Sequence, residues 1–149
     1  MIPRRILFCT DFSENSKPAL RVAIDYARTL GSELVIFHVI NSSQLGYPSL
    51  EQGMPVDIQA ALENIQESVN KALELIVKEC RDSVESVRSA SKIGSPAYEI
   101  ARFAEENAIS LIVMGTRGLT GLKHILMGST AENVVRIADC PVLTVRSGG

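Results

Sequence analysis

The sequence predicts an α/β fold in which five short strands alternate with four helices around a parallel sheet, giving a three-layer sandwich. Three observations carry that prediction. Short unbroken apolar runs stand around Leu7, Val35 and Ile112, as expected of strands buried on both faces. Between such runs, apolar residues fall at three- and four-residue spacing, the period of a helix packed on one side. Glycine, proline and serine mark the joints.

Taken in order, Arg5-Ile6-Leu7-Phe8-Cys9 is the first strand. Ala19, Val22, Ala23, Tyr26, Ala27 and Leu30 then define a helix over residues 16–30, with Gly31 placed to end it in a left-handed conformation. Residues 34–39, rich in β-branched side chains, form the second strand and lead into a Ser-, Gly- and Pro-rich loop over 41–55. Leu62, Ile65, Val69, Leu73, Ile76, Val77 and Cys80 draw the apolar stripe of a long helix over 58–81. The stretch 84–93 is mixed and polar, which suits a strand at a sheet edge. Ser95-Pro96 reads as an N-cap followed by proline at the first helical position, opening a helix that runs to about Asn107. The fourth strand begins at Ser110. Ser129-x-x-Glu132 has the spacing of a capping box at the last helix, and Val142-Leu143-Thr144-Val145 is the final strand.

Two strand orders suit such a chain, 2-1-3-4-5 and 3-2-1-4-5. In the second, strands one and four are neighbours at the switch point, where ligands of open parallel sheets bind beyond the carboxyl ends. Thr10-Asp11 and Gly115 then face one another.

Composition narrows the function. With 149 residues and 46% hydrophobic content, the chain is expected to be one domain over 1–149 with a sizeable core. A net charge of -2 and spread-out basic residues argue against nucleic acid as a partner. Cys9, Cys80 and Cys140 are far apart and lack Cys-x-x-Cys spacing, so they read as reduced thiols rather than a disulfide frame or a zinc site. No apolar stretch reaches the roughly 18 residues of a membrane span, and Met1-Ile2-Pro3-Arg4-Arg5 runs directly into a strand, so a cytoplasmic protein without membrane contact is expected.

The candidate site is the loop after the fourth strand. Gly115-Thr116-Arg117-Gly118 precedes it and Gly128-Ser129-Thr130 closes it at a helix start. Glycine lets main-chain N–H groups approach a ligand closely, and a helix N-terminus offers unpaired donors and a positive dipole end. Two hydroxyls, with Arg117, Lys123 and His124, add further donors suited to phosphate. Neither the P-loop pattern nor Gly-x-Gly-x-x-Gly is present. No recognisable catalytic set accompanies the loop: His38 reads as a satisfied strand histidine, and Cys9 has no orienting acid for nucleophilic work.

Gly115-x2-Gly118-x9-Gly128-Ser129 resembles the ATP-binding signature of the universal stress protein family. Cys9-Thr10-Asp11-Phe12-Ser13 is similar to that family's first-strand motif Pro-Thr-Asp-Phe-Ser, and His38-Val39-Ile40, Gly94-x-Pro96 and Cys140-Pro141-Val142-Leu143-Thr144-Val145 extend the resemblance over the whole chain. It implies an adenine nucleotide alpha hydrolase-like sheet of order 3-2-1-4-5. It also implies a regulatory, stress-response protein holding ATP, ADP or AMP, with Mg2+ bridging phosphates. By position, Thr10, Asp11 and Val39 would meet the base; Met114, Gly115 and Gly118 the ribose and phosphate side; and Gly128, Ser129 and Thr130 the phosphates. Cys9 departs from the usual proline, and Ala131 stands where some relatives carry a hydroxyl. The resemblance further implies a homodimer paired through Val142–Val145. Hydrolysis is expected to be weak or absent, and the loop over 41–55 is expected to move and to cover the nucleotide.

Overall fold

The computed structural model describes residues 2–45, 56–117 and 127–148. Strand β1 (Arg5–Cys9) leads through a single 3-10 turn (Glu14–Ser16) into α1 (Lys17–Leu30), followed by β2 (Glu33–Asn41). A second 3-10 turn (Ser42–Leu45) precedes α2 (Val56–Cys80), then β3 (Val87–Gly94), α3 (Pro96–Glu106) and β4 (Leu111–Gly115). Helix α4 (Ser129–Ile137) and β5 (Val142–Val145) end the described chain. All pairings are parallel and the sheet order is β3-β2-β1-β4-β5, the second of the two orders compatible with the sequence.

The unbroken apolar runs become the three central strands. Ile6, Leu7, Leu34, Val35, Ile36, Phe37, Ile112 and Val113 are fully buried because both sheet faces are covered. On one face, Ile6, Phe8, Leu34, Ile36 and Val113 pack under Ala19, Ala23 and Ala27 of α1 and Leu73 and Val77 of α2. On the other, Leu7, Val35, Phe37 and Ile112 pack under Ile100 and Phe103 of α3 and Val134 of α4, with the Phe37 and Phe103 rings stacked 4.3 Å apart. Each such large side chain contributes about 1.5–3 kcal/mol on burial. The polar strand β3 lies at one edge of the sheet and β5 at the other.

Local signals were spent in differing ways. Gly31 ends α1 at φ 65, ψ 32, and its N–H with that of Ser32 turns back to the Ala27 carbonyl. Ala108, at φ 52, takes the corresponding left-handed place after α3 without being glycine. Ser95 is the N-cap of α3 and Pro96 its first residue, yet the serine side chain makes no cap hydrogen bond. At α4 the capping-box reading is corrected: Gly128 is the N-cap, so Ser129 is already helical and Glu132 pairs with Arg136 at 3.0 Å instead of closing a box. Val84, read as part of the third strand, instead folds back on the end of α2, its N–H donating to the Cys80 carbonyl at 2.9 Å.

At the end of the sheet remote from the strands' carboxyl termini, Glu33 on β2 bridges Arg5 on β1 and Arg88 on β3, with contacts of 2.5 and 2.8 Å. Partial burial works against the Glu33 carboxylate, but the hydrogen bonds and charges of Arg88 and Arg5 outweigh it and hold its pKa below the usual range.

Candidate functional site

A cleft of about 620 Å³ opens beyond the carboxyl ends of β1 and β4. The sheet makes it by unequal strand lengths. Cys9 ends β1 opposite Phe37 and Met114, whereas β2 continues through His38, Val39, Ile40 and Asn41. Phe37 accepts from the Thr10 N–H at 2.9 Å on the β1 side, and Val39, two residues on, points its peptide groups the same way past the end of β1. A strand edge is thereby offered to a ligand.

Thr10, Asp11, Val39, Met114, Gly115, Arg117, Gly128, Ser129 and Thr130 all line this cleft. Gly118, Lys123 and His124 lie outside the described residues, as does most of the loop expected to cover the site. The sequence singled out one wall and the floor. It missed the apolar sides, Ile65 and Val69 from α2 and Pro96 and Ile100 from α3. Ile65 and Val69 belong to the same stripe as the buried Leu73 and Val77 but are only half-buried where they line the cleft. That difference has no sequence signal.

The two glycines that frame the described part of the loop do different work. A Cβ on Gly115 would lie 3.1 Å from the main-chain oxygen of Asn15, so this glycine admits the 3-10 turn against the tip of β4. Gly128 sits at φ -68, ψ 161, open to every residue, so backbone freedom does not explain a glycine there. Its N–H donates to the Thr116 carbonyl at 2.5 Å, drawing the two ends of the loop together.

Donors then collect at the α4 N-terminus. The N–H groups of Ser129, Thr130 and Ala131 precede the first intrahelical bond, from Glu132 N–H to the Gly128 carbonyl at 3.0 Å. With the capping box absent, the Ser129 and Thr130 hydroxyls are not engaged in capping. The Thr116 hydroxyl is buried and has no hydrogen-bond partner. Ala131 is buried against the core beside Val134, so its methyl packs while its N–H remains at the helix end.

At the opposite end of the cleft, Asp11 Oδ1 accepts from both the N–H and the hydroxyl of Ser13, at 2.9 and 2.5 Å, which leaves Oδ2 for a ligand. Phe12 follows at φ 65, a left-handed conformation that costs a non-glycine residue about 1–2 kcal/mol. Its N–H is held by Thr10 Oγ1 at 2.9 Å, and its ring lies 4.4 Å from that of His38. His38 Nδ1 is 2.7 Å from the Thr10 carbonyl, which only accepts, so Nδ1 carries the proton. Burial lowers the His38 pKa, only partly offset by that bond and by the Asp11 charge, and keeps the ring neutral near pH 7.

Cys9 lines the cleft, but burial, reinforced by Cys140, pushes its thiol far above the ordinary range. A protonated thiol is no nucleophile. Among the described residues, Asp11 is the one carboxylate lining the cleft, and no group of three or more His, Cys, Asp or Glu could cage a metal ion. None of the described helices is long and apolar enough to cross a membrane. The cleft is thus lined by helix-terminal N–H donors and hydroxyls from α4, an oriented carboxylate at Asp11 and apolar side chains from α2 and α3.

Comparison with known proteins agrees with this architecture. A profile described as the universal stress protein family matches residues 3–146. The universal stress protein MJ0577 of Methanocaldococcus jannaschii is 32% identical over 96% of this chain and 94% of its own length. The solved structure of that protein superposes with a TM-score of 0.87, covering 100% of this chain and 99% of that one. A universal stress protein solved in complex with cAMP has 22% identity and a TM-score of 0.68 over 99% and 100% of the two chains. One from Archaeoglobus fulgidus, solved in complex with dAMP, has 23% identity and a TM-score of 0.62 over 98% and 100%. At those identities the last two speak for the fold alone.

Proposed function

The chain belongs to the universal stress protein family, and on that premise we propose that it is a regulatory ATP-binding protein holding its nucleotide beyond the carboxyl ends of β1 and β4. The observation that carries this reading is the group of donors at the start of α4. Three helix-terminal N–H groups and the Ser129 and Thr130 hydroxyls all belong to residues lining one cleft. Such a set suits an anion with several oxygens. Two proteins of the same fold were solved with cAMP and dAMP, so the fold itself accommodates a nucleotide.

In this reading the phosphates lie on Ser129, Thr130 and Ala131, with Arg117 adding charge. The ribose runs past Met114 and Gly115. The base meets the open edge of β2 at Val39, beside Thr10, and Asp11 Oδ2 accepts from a ribose hydroxyl or an exocyclic amine. The apolar walls from α2 and α3 exclude water from the ring. Mg2+ enters on the phosphate oxygens, the usual way this ion is held, rather than in a protein cage.

Turnover is slow or absent. Phosphoryl transfer needs a placed acceptor and concentrated charge on the moving group. Here the Asp11 carboxylate has one oxygen held by Ser13, and His38 donates to the Thr10 carbonyl. The bound state itself is therefore the signal, read by a partner. A homodimer through β5 fits this role: all four β5 residues are only half-buried, and Val135 and Ile137 of the adjoining α4 are 48% and 46% exposed.

Mass spectrometry of the ligand released from freshly purified protein tests the assignment. One adenine nucleotide per chain is the expected result. Protein that retains none, and takes up none when soaked with ATP, would leave a nucleotide-free dimeric interaction module as the better reading.

A further inference from the structure

We propose that His38 is a positioning residue for the cleft: through the Thr10 carbonyl and the Phe12 ring, it holds the left-handed turn that presents Asp11 to the base of a bound nucleotide. The inference rests on the nucleotide reading and names a control on the same site.

The turn at residues 10–13 is strained at one point, Phe12, where a bulky side chain occupies a conformation that favours glycine. Strain of this kind persists only when the surroundings over-determine it. Three contacts do so here. Thr10 Oγ1 accepts from the Phe12 N–H at 2.9 Å, His38 Nδ1 donates to the Thr10 carbonyl at 2.7 Å, and the Phe12 and His38 rings meet at 4.4 Å. Two of the three come from His38, and Asp11 lies between the two residues it grips. Its carboxylate is oriented by Ser13, the residue after the strained one.

His38 is a titratable grip. Among the described residues, the charge acting on it is the Asp11 carboxylate from the β1 exit turn. Ser91, opposite it on β3, and Ile65 and Val69, which line the same cleft from α2, are uncharged. Protonation at Nε2 leaves the Nδ1 donor to Thr10 in place and puts a cation beside Asp11, which draws the carboxylate away from the base. Burial delays that event to pH values below the ordinary histidine range.

The test follows two readouts on the full chain. In the nucleotide-free protein, the amide resonances of Phe12 and Ser13 are followed by NMR from about pH 8 to 5, together with the His38 ring. They are expected to move with the His38 midpoint, below about 6.5. ATP affinity is then compared with that of His38→Asn, whose amide N–H reaches toward the place of Nδ1, and His38→Ala, which removes the grip. Expected at about pH 7.5 is a loss of about fivefold or more in His38→Ala and binding within about twofold of wild type in His38→Asn. Both variants carry the nucleotide's own phosphate titration, so a steeper fall toward pH 5.5 in wild type alone, by about threefold or more, is the contribution of His38. Amides that ignore the His38 titration, or a His38→Ala profile that overlays wild type, would overturn the proposal. Failure of wild type to bind any adenine nucleotide at pH 7.5 would instead sink the nucleotide reading, and the amide titration would still decide whether His38 holds the turn.

Discussion

Gly115 at the tip of β4 lies directly under the main-chain oxygen of Asn15, with 3.1 Å left for a Cβ that the glycine lacks. This close approach seats the 3-10 turn after β1 against the tip of β4. Gly115→Ala forces a backbone shift of a few tenths of an ångström. A loss of about 1–3 kcal/mol is expected in urea unfolding, since the obstructing atom is main chain and cannot rotate aside. An unchanged midpoint would mean that the turn is not held there.

Gly128 presents the opposite case. Its dihedrals suit any residue, so Gly128→Val is expected to cost less than about 1 kcal/mol of stability, the scale of an N-cap change. A branched side chain at the mouth of the α4 N-terminus nevertheless obstructs a phosphate. Nucleotide affinity is expected to fall by about tenfold or more, or about 1.4 kcal/mol. Calorimetry alongside thermal unfolding separates the two effects.

Ala108 offers a gain. At φ 52 it occupies the left-handed place after α3 that glycine fills most readily, and it is exposed, so no packing is lost on substitution. Ala108→Gly is expected to stabilise the fold by about 0.5–1 kcal/mol, the relief of Cβ strain less the entropy of a freer unfolded chain. Lower stability in the variant would contradict the strain assigned to this position.

Glu33 sets a pH dependence at the opposite end of the sheet. Its pKa is lowered in the folded protein, so its contribution is complete above the unfolded carboxylate value of about 4.3 and is lost as pH falls through the folded value. Denaturant midpoints measured from about pH 7 to 3 should fall more steeply in wild type than in Glu33→Gln, whose stability is lower at pH 7 and flatter below pH 5. Parallel curves would show that Arg5 and Arg88 gain nothing from this carboxylate.

The sheet was legible because Ile6 to Cys9, Leu34 to Phe37 and Leu111 to Met114 are continuous apolar runs, as two-sided burial requires. In the candidate site, the glycines, hydroxyls and helix start around Gly115 and Gly128 were legible from their spacing, whereas the roles of Thr10, Asp11, Val39 and Met114 entered through the family resemblance. Pairwise choices were not. Ser129-x-x-Glu132 fits a capping box as well as it fits a first turn with Glu132 turned to Arg136, and the local sequence cannot rank two solutions of nearly equal energy. Nor does the stripe along α2 reveal that Val69 packs against the core and lines the cleft as well. The Phe12 conformation was hidden for the same reason: it is imposed by Thr10 and by His38, a residue distant along the chain.

The most direct test of the account is calorimetric titration of nucleotide-stripped protein with ATP and Mg2+, run beside GTP, AMP and cyclic AMP. Selective binding of adenine nucleotides at about micromolar affinity or tighter, with GTP weaker by about tenfold or more, is the predicted result. No heat at about millimolar ATP, under conditions where the protein remains folded, would contradict it.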